Sequence, residues 1–273
     1  MPVDHYENFP VASWVLPRHL HAPVTAIYRF ARTADDFADE GDLTPAQRLA
    51  LIDGYRESLR RCVDGGDVTT PLFHDLQRVI VQWQLDPKPL FDLLDAFSQD
   101  VTKTRYADYP EVLDYCARSA NPVGRLMLRL YGAENPENLR ASDAICTALQ
   151  LVNFWQDVAI DARKNRIYLP QEDLRRFGVD ESQVLRGDAT GGWRPLLQFE
   201  VCRARALLLS GAPLGTRLRG RIGLELRLIV AGGTRILDKI TRNEEDVFRR
   251  RPVLGAPDWI RMLYHALRPL HTT

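Results

Sequence analysis

The chain has 273 residues, 45% of them apolar and 26% charged, and its 36 Lys+Arg balance 36 Asp+Glu. Such a composition describes a globular protein, excludes disordered and collagen-like classes, and at zero net charge leaves no whole-chain footprint for nucleic acid. The charge is uneven: residues 201–273 hold 14 Lys+Arg against 6 Asp+Glu, which reads either as a solvated basic face or as attraction to an anionic membrane surface or a diphosphate.

The opening MPVDHYENFP lacks the basic and apolar regions of a signal peptide. No run reaches the ~18 apolar residues a membrane span requires. The expectation is a cytoplasmic protein, with peripheral contact at the inner face of a membrane left open. The four cysteines, Cys62, Cys116, Cys146 and Cys202, form no C-x-x-C pair and have no accompanying His cluster, so a reducing compartment without disulfides or zinc is expected.

In chain order, Val24, Ile27, Tyr28, Ala31, Ala34 and Ala38 recur at helical spacing, with Gly41 as the stop. Thr44 as N-cap and Pro45 at the first position predict a helix over 45–63, which Gly65-Gly66 breaks. Further helical patterns cover 71–84, 87–101, 110–131, 141–162, 194–210 and 220–249, while 178–193 reads as loop or short helices. Strand patterns, hairpin turns, internal repeats and linkers are lacking in the sequence. The expectation is one all-α domain over 1–273.

Two segments carry chemistry. In AIYRFARTADDFADEGD, residues 26–42, Tyr28, Arg32, Asp35 and Asp39 fall within about 60° of one another on an ideal helix. Asp35, Asp36, Asp39 and Glu40 crowd the last turn, where negative charge opposes the helix dipole and acids four apart repel. The cluster is either a solvated helix end or the seat of a cation. In ALQLVNFWQDVAIDARKNRIYLP, residues 148–170, Gln150, Asn153, Asp157 and Asp161 share an arc of about 80° amid Val152, Phe154, Trp155 and Val158. Polar groups on a buried helix need partners, which a structural ion pair or a polar ligand would supply. Two acidic helices facing across a bundle suit Mg²⁺, which takes oxygen ligands, keeps waters and bridges carboxylates to phosphates. The apolar interior would then hold a hydrocarbon.

RTADDFAD, and QLVNFWQDVAID followed by RIYLP, resemble the paired aspartate-rich motifs of the squalene/phytoene synthases. YCARSANPVG, RILDKI and FRRRP resemble further segments of that family, over about residues 5–252. The resemblance implies an isoprenoid synthase-type helical bundle with a central apolar cavity. It implies Asp35, Asp39, Asp157 and Asp161 as Mg²⁺–diphosphate ligands, with Asp36 a weaker candidate because it points about 100° away from Asp35. Arg32 and Arg166 are implied as diphosphate-binding cations, and Gln150 and Asn153 as polar groups near the reacting carbons or the metal. Tyr28, Tyr115 and Tyr168 are implied as cation-stabilising or proton-relaying groups, each with a plain core reading beside it.

Several positions depart from the common family pattern. These are Tyr6 and Asn8, Asn121-Pro122, where Pro122 should kink a helix, and Gly233 in place of a tyrosine, read as opening room for a water. With NFWQD and SANPVG they resemble the hydroxysqualene-forming branch of the hopanoid pathway. Such a carbon–oxygen lyase converts presqualene diphosphate to hydroxysqualene with release of diphosphate and capture of the cation by water. The alternative within the family is head-to-head condensation of two prenyl diphosphates such as farnesyl diphosphate. A non-catalytic scaffold would be marked by loss of the aspartates, and a lipid carrier would not need two metal-like motifs.

Overall fold

The computed structural model describes residues 16–242 and 247–267, and among these every regular element is a helix. The chain begins with α1 (Arg18–Asp39), α2 (Pro45–Val63), α3 (Pro71–Trp83) and α4 (Lys88–Asp100). It continues through α5 (Tyr109–Ser119), α6 (Asn121–Leu130), α7 (Pro136–Gln156), α8 (Val158–Arg163), α9 (Gln171–Phe177) and α10 (Glu181–Arg186). The last elements are α11 (Trp193–Gly211), α12 (Leu214–Arg217), α13 (Gly220–Arg242) and α14 (Ala256–Leu267).

Local chemistry accounts for most helix starts. Thr44 and Gln47 close a reciprocal capping box over Pro45. Thr70, Asp108 and Asn135 likewise accept from a backbone N–H three residues on, each with a proline in the first two helical positions. The same device moves the start of α7 to Pro136, ahead of the expected 141, because apolar spacing cannot register a cap. The pattern over 110–131 divides at Ala120 (φ −119°, ψ −47°), and α6 opens on Asn121-Pro122, since proline has no N–H to continue α5. The helix expected over 220–249 ends sooner: α13 stops at Arg242, and Val247–Arg250 is turn and bend. The short α9 and α12, and all of α14, were not legible as periodic runs.

Two cores meet at the middle of the molecule. One gathers Phe30, Tyr55, Phe73, Leu76 and Leu90 from α1–α4, with the Tyr55 ring 5.1 Å from Phe30 and 4.9 Å from Phe73. The other centres on α7 and α11, with Trp155, Trp193, Leu151 and Leu197 fully buried or nearly so. Fully burying side chains of this kind stabilises by roughly 1.5–3 kcal/mol each, so these cores, rather than surface ion pairs, hold the walls of the site in place. Helix α11 approaches α7 closely because Gly211 has no side chain; a Cβ there would stand 2.5 Å from the Ala141 carbonyl oxygen.

The second core contains one acid that water does not reach. Glu200 on α11 is 0% exposed. It faces Asp173 of α9, and the Arg203 guanidinium is 2.8 Å from Asp173 but 3.8 Å from Glu200. Burial, more than the opposing pull of Arg203, pushes the Glu200 carboxyl up to about 8, and Asp173 raises it further. The folded state therefore holds a proton that the unfolded chain releases near the ordinary value of about 4.3. This contribution to stability is complete below that value and is lost as pH rises towards 8. Thermal unfolding should show a fall in Tm from pH 5 to 8 that Glu200→Gln flattens. An unchanged slope in the variant would show that another group sets it.

Candidate active site

Of the residues implied as metal ligands, diphosphate-binding cations or catalytic groups, all except Asp36 line one cavity of about 860 Å³, near the upper end of the ~300–1,000 Å³ usual for ligand pockets. Its acidic end is built by the last turns of α1, which carry Arg32, Asp35 and Asp39, and by the α7–α8 junction opposite, which carries Asn153, Asp157 and Asp161. Away from that end the walls become apolar: Val24 and Ile27 of α1, Leu128 of α6, Leu149 of α7 and Ile229 of α13. Asp36 lies outside the wall, half exposed and 2.7 Å from Arg32 Nη2, because on a helix it points a quarter-turn or more away from Asp35.

The stripe Gln150–Asp161 is not one straight helix. Asp157 leaves helical geometry (φ −105°, ψ 12°), yet its N–H still bonds Asn153 O at 2.8 Å and Asp161 N–H bonds Asp157 O at 2.9 Å. The four side chains thus stay on one wall across the kink.

Cations brace the acids from distant parts of the chain. Arg32 Nη1 donates to Asp35 at 3.0 Å. Asp39 accepts from Lys164 at 2.9 Å and from Arg166 at 3.1 Å. Asp157 takes both Nε and Nη2 of Arg251, the latter at 3.1 Å. Arg251 is held there by a strap: Gln156 donates to the Pro252 carbonyl, and Phe248 packs 4.4 Å from Trp193. No ion pair or side-chain hydrogen bond to Asp161 is formed by the described residues. Burial, and then Asp157, push its carboxyl up to about 7. Burial also raises Asp35 to about 6 against Arg32. At Asp39 burial acts upward as well, but Arg166 and Lys164 outweigh it and hold the carboxyl below its ordinary value.

Tyr115, Phe154 and Tyr168 line the middle of the cavity, with Phe154 stacked on Tyr168 at 3.7 Å between centroids. Arg166 reaches into this cluster, donating to the Tyr168 hydroxyl at 3.3 Å and to the Asp100 carbonyl at 3.0 Å. Asp100 was missed from sequence. Its Oδ2 accepts the Tyr115 hydroxyl at 2.7 Å, its Oδ1 is buried without a hydrogen bond, and burial raises the carboxyl to about 7. The available signal was its place at i+7 from Leu93 on the apolar face of α4. Lys164 and Arg251 were also missed; their partners lie 125 and 94 residues away, beyond any local pattern.

The sequence departures fare differently. Tyr6 and Asn8 lie outside the described residues. Asn121 and Pro122 are buried beside the wall, between lining residues Ser119 and Val123, and the Asn121 amide oxygen accepts from Thr147 at 2.9 Å. The reading of Gly233 as an opening for water is overturned. A Cβ there would meet Leu149 at 2.9 Å and Leu208 at 3.0 Å, so leucine side chains already occupy that space and Gly233 does not line the cavity.

A helical bundle that keeps a long apolar cavity behind a wall of aspartates and guanidinium groups defines the class, an isoprenoid synthase-type enzyme. Within that class the chain belongs to the squalene/phytoene synthase family, whose model matches residues 3–258. It is 39% identical to the hydroxysqualene synthase of Rhodopseudomonas palustris over 85% of this chain and 78% of that one. It is 30% identical to a phytoene synthase of Arthrospira platensis over 95% of this chain and 87% of that one. Among solved structures, the squalene synthase HpnC of Alicyclobacillus acidocaldarius superposes with a TM-score of 0.81 at 40% identity, covering 87% of this chain and 89% of that one. No helix of the described residues is long and apolar enough to cross a membrane.

Proposed function

We propose that the protein converts presqualene diphosphate to hydroxysqualene, with Mg²⁺, releasing diphosphate and capturing the carbocation with water. The observation that carries this reading is an acidic, cation-braced wall opening directly onto an apolar cavity large enough for a long isoprenoid. The 39% identity to a named hydroxysqualene synthase supports this branch of the family. The reading also makes the protein a peripheral partner of membranes, since its substrate and product carry a long apolar chain.

The donor set fits Mg²⁺. No three His, Cys, Asp or Glu side chains among the described residues enclose a metal by themselves. Mg²⁺ keeps waters and shares phosphate oxygens with one or two carboxylates, so it does not require such an enclosure. Asp35 and Asp39 on one wall and Asp157 and Asp161 on the other would hold it, and Asp161 forms no ion pair with the described residues. Bound there, the ion would neutralise charge on the leaving diphosphate.

The chain's own residues supply the rest. Arg32, Lys164, Arg166 and Arg251 stand where negative charge grows as the carbon–oxygen bond to diphosphate breaks. The aromatic side chains that line the cavity, Tyr28, Tyr115 and the stacked pair Phe154–Tyr168, accommodate the cation left behind. Val24, Ile27, Leu128, Leu149 and Ile229 keep bulk water from quenching it early. One water then forms the new carbon–oxygen bond and gives up a proton. Asp100, with a buried oxygen that accepts nothing else and a carboxyl near 7, is placed to take it.

Condensation of two prenyl diphosphates is the second reading, favoured by the 40% identity to a protein described as a squalene synthase. Product analysis in ¹⁸O-water separates the two. An ¹⁸O-labelled alcohol formed from presqualene diphosphate without a reductant is the expected result. Rapid consumption of farnesyl diphosphate, giving presqualene diphosphate or a hydrocarbon, would overturn the assignment in favour of condensation.

A further inference from the structure

We propose that α14 is the surface by which this protein lies on an anionic lipid membrane, with Trp259 standing between the bilayer and the apolar cavity. The inner side of α14 is fixed. Asp258, 4% exposed, is bound by Arg235 at 2.6 Å and Lys239 at 2.5 Å. At the other end Arg227 donates to the Ala266 carbonyl at 2.7 Å. Met262 and Ala266 are buried between these points, so α14 runs antiparallel along α13 and cannot turn its other side inward.

That other side is apolar. Ile260 is 73% exposed, Leu263 47% and Leu267 65%. They recur at the i, i+3, i+7 spacing of a single stripe. In a surface helix that stripe ordinarily faces the core; here it faces outward. A contiguous exposed apolar stripe marks an interaction site.

Charge selects the occupant. In residues 247–267 the exposed charged side chains are Arg249, Arg250 and Arg261, while the segment's single acid, Asp258, is buried and neutralised. A second copy of this chain would bring like charges together at a two-fold contact. An apolar stripe whose own segment exposes arginines and no acid is the pattern that lies in the boundary of an anionic bilayer.

The cavity gives the contact a use. Trp259 lines it with Leu226 and Ile229 of α13, and the residue is 39% exposed. One side chain thus separates the hydrocarbon space from the docking face. This part rests on the proposed function, which makes the product a long-chain alcohol that partitions into lipid.

The test is co-sedimentation of the full chain with vesicles of phosphatidylcholine alone and of phosphatidylcholine with phosphatidylglycerol in equal parts. The parent should sediment with the anionic vesicles and be released by high salt. The double change Ile260→Glu with Leu267→Glu should weaken binding at least about tenfold, and Arg249→Glu with Arg250→Glu should weaken it on anionic vesicles. Ile260 and Leu267 do not line the cavity, so turnover of detergent-presented substrate by that double variant should be unchanged. Failure of the parent to bind, or equal binding by the variants, overturns the proposal. So does a dimer that the double change converts to monomer, or binding that emerges only on removing residues 1–15; these assign the stripe to a second copy or to the chain's own start. A chain that binds vesicles yet makes no hydroxysqualene would overturn the reaction alone. An active chain indifferent to vesicles would overturn this proposal alone.

Discussion

Asp161→Asn is expected to lower turnover on the order of 10³-fold while leaving the protein as stable as the parent or more so. The two effects have one cause. Asp161 has no ion pair among the described residues, and burial with Asp157 nearby raises its carboxyl to about 7. Folding therefore gains nothing from its charge, and an amide of the same shape removes a buried like-charge conflict. On the proposed function the charge serves a ligand, and groups that stabilise developing charge in a dry site are worth several kcal/mol there. Asp157→Asn should cost comparable activity but also stability, because it strips Arg251 of its partner. The double variant should be far from additive, since both acids serve one clamp. Circular dichroism melts beside kcat measurements decide the matter. If Asp161→Asn melts several degrees lower, or keeps parental turnover at ordinary Mg²⁺, the carboxylate is structural and the metal assignment fails.

Arg166→Lys should be the second severe change, lowering kcat on the order of 10²-fold despite conserved charge. Arg166 spans three acceptors at once: Asp39 at 3.1 Å, the Asp100 carbonyl at 3.0 Å and the Tyr168 hydroxyl at 3.3 Å. Its surroundings strengthen its hold on its proton: burial acts downward, but Tyr168, Asp39 and Asp100 outweigh it. A planar fork can keep two of those contacts and still turn an edge to a diphosphate oxygen; an ammonium on a flexible stem is a point charge. The loss should fall mainly on kcat, because the cation is needed most as the leaving group gains charge. A lysine variant matching the parent in kcat and KM would reduce Arg166 to a prop for Asp39.

What the sequence by itself determined is whatever local physics encodes. Thr44 with Gln47 fixed a helix start, Pro122 broke a helix, and apolar spacing at 3.6 residues set the all-α class. Two aspartate stripes were visible as acids at places where a helix end or a buried face disfavours them, and such local conflicts mark sites. Tertiary structure decided which charges meet. Lys164 and Arg166 close on Asp39, and Arg251 closes on Asp157, across separations that no helical period encodes. Asp100 became part of the cavity wall only because α4 lies where its one polar position on the apolar face reaches Tyr115. Gly233 shows the converse. Its small size suggested space, but Leu149 and Leu208 converge on it from two other helices. A sequence states the volume a residue lacks; only packing decides whether a neighbour has already filled it.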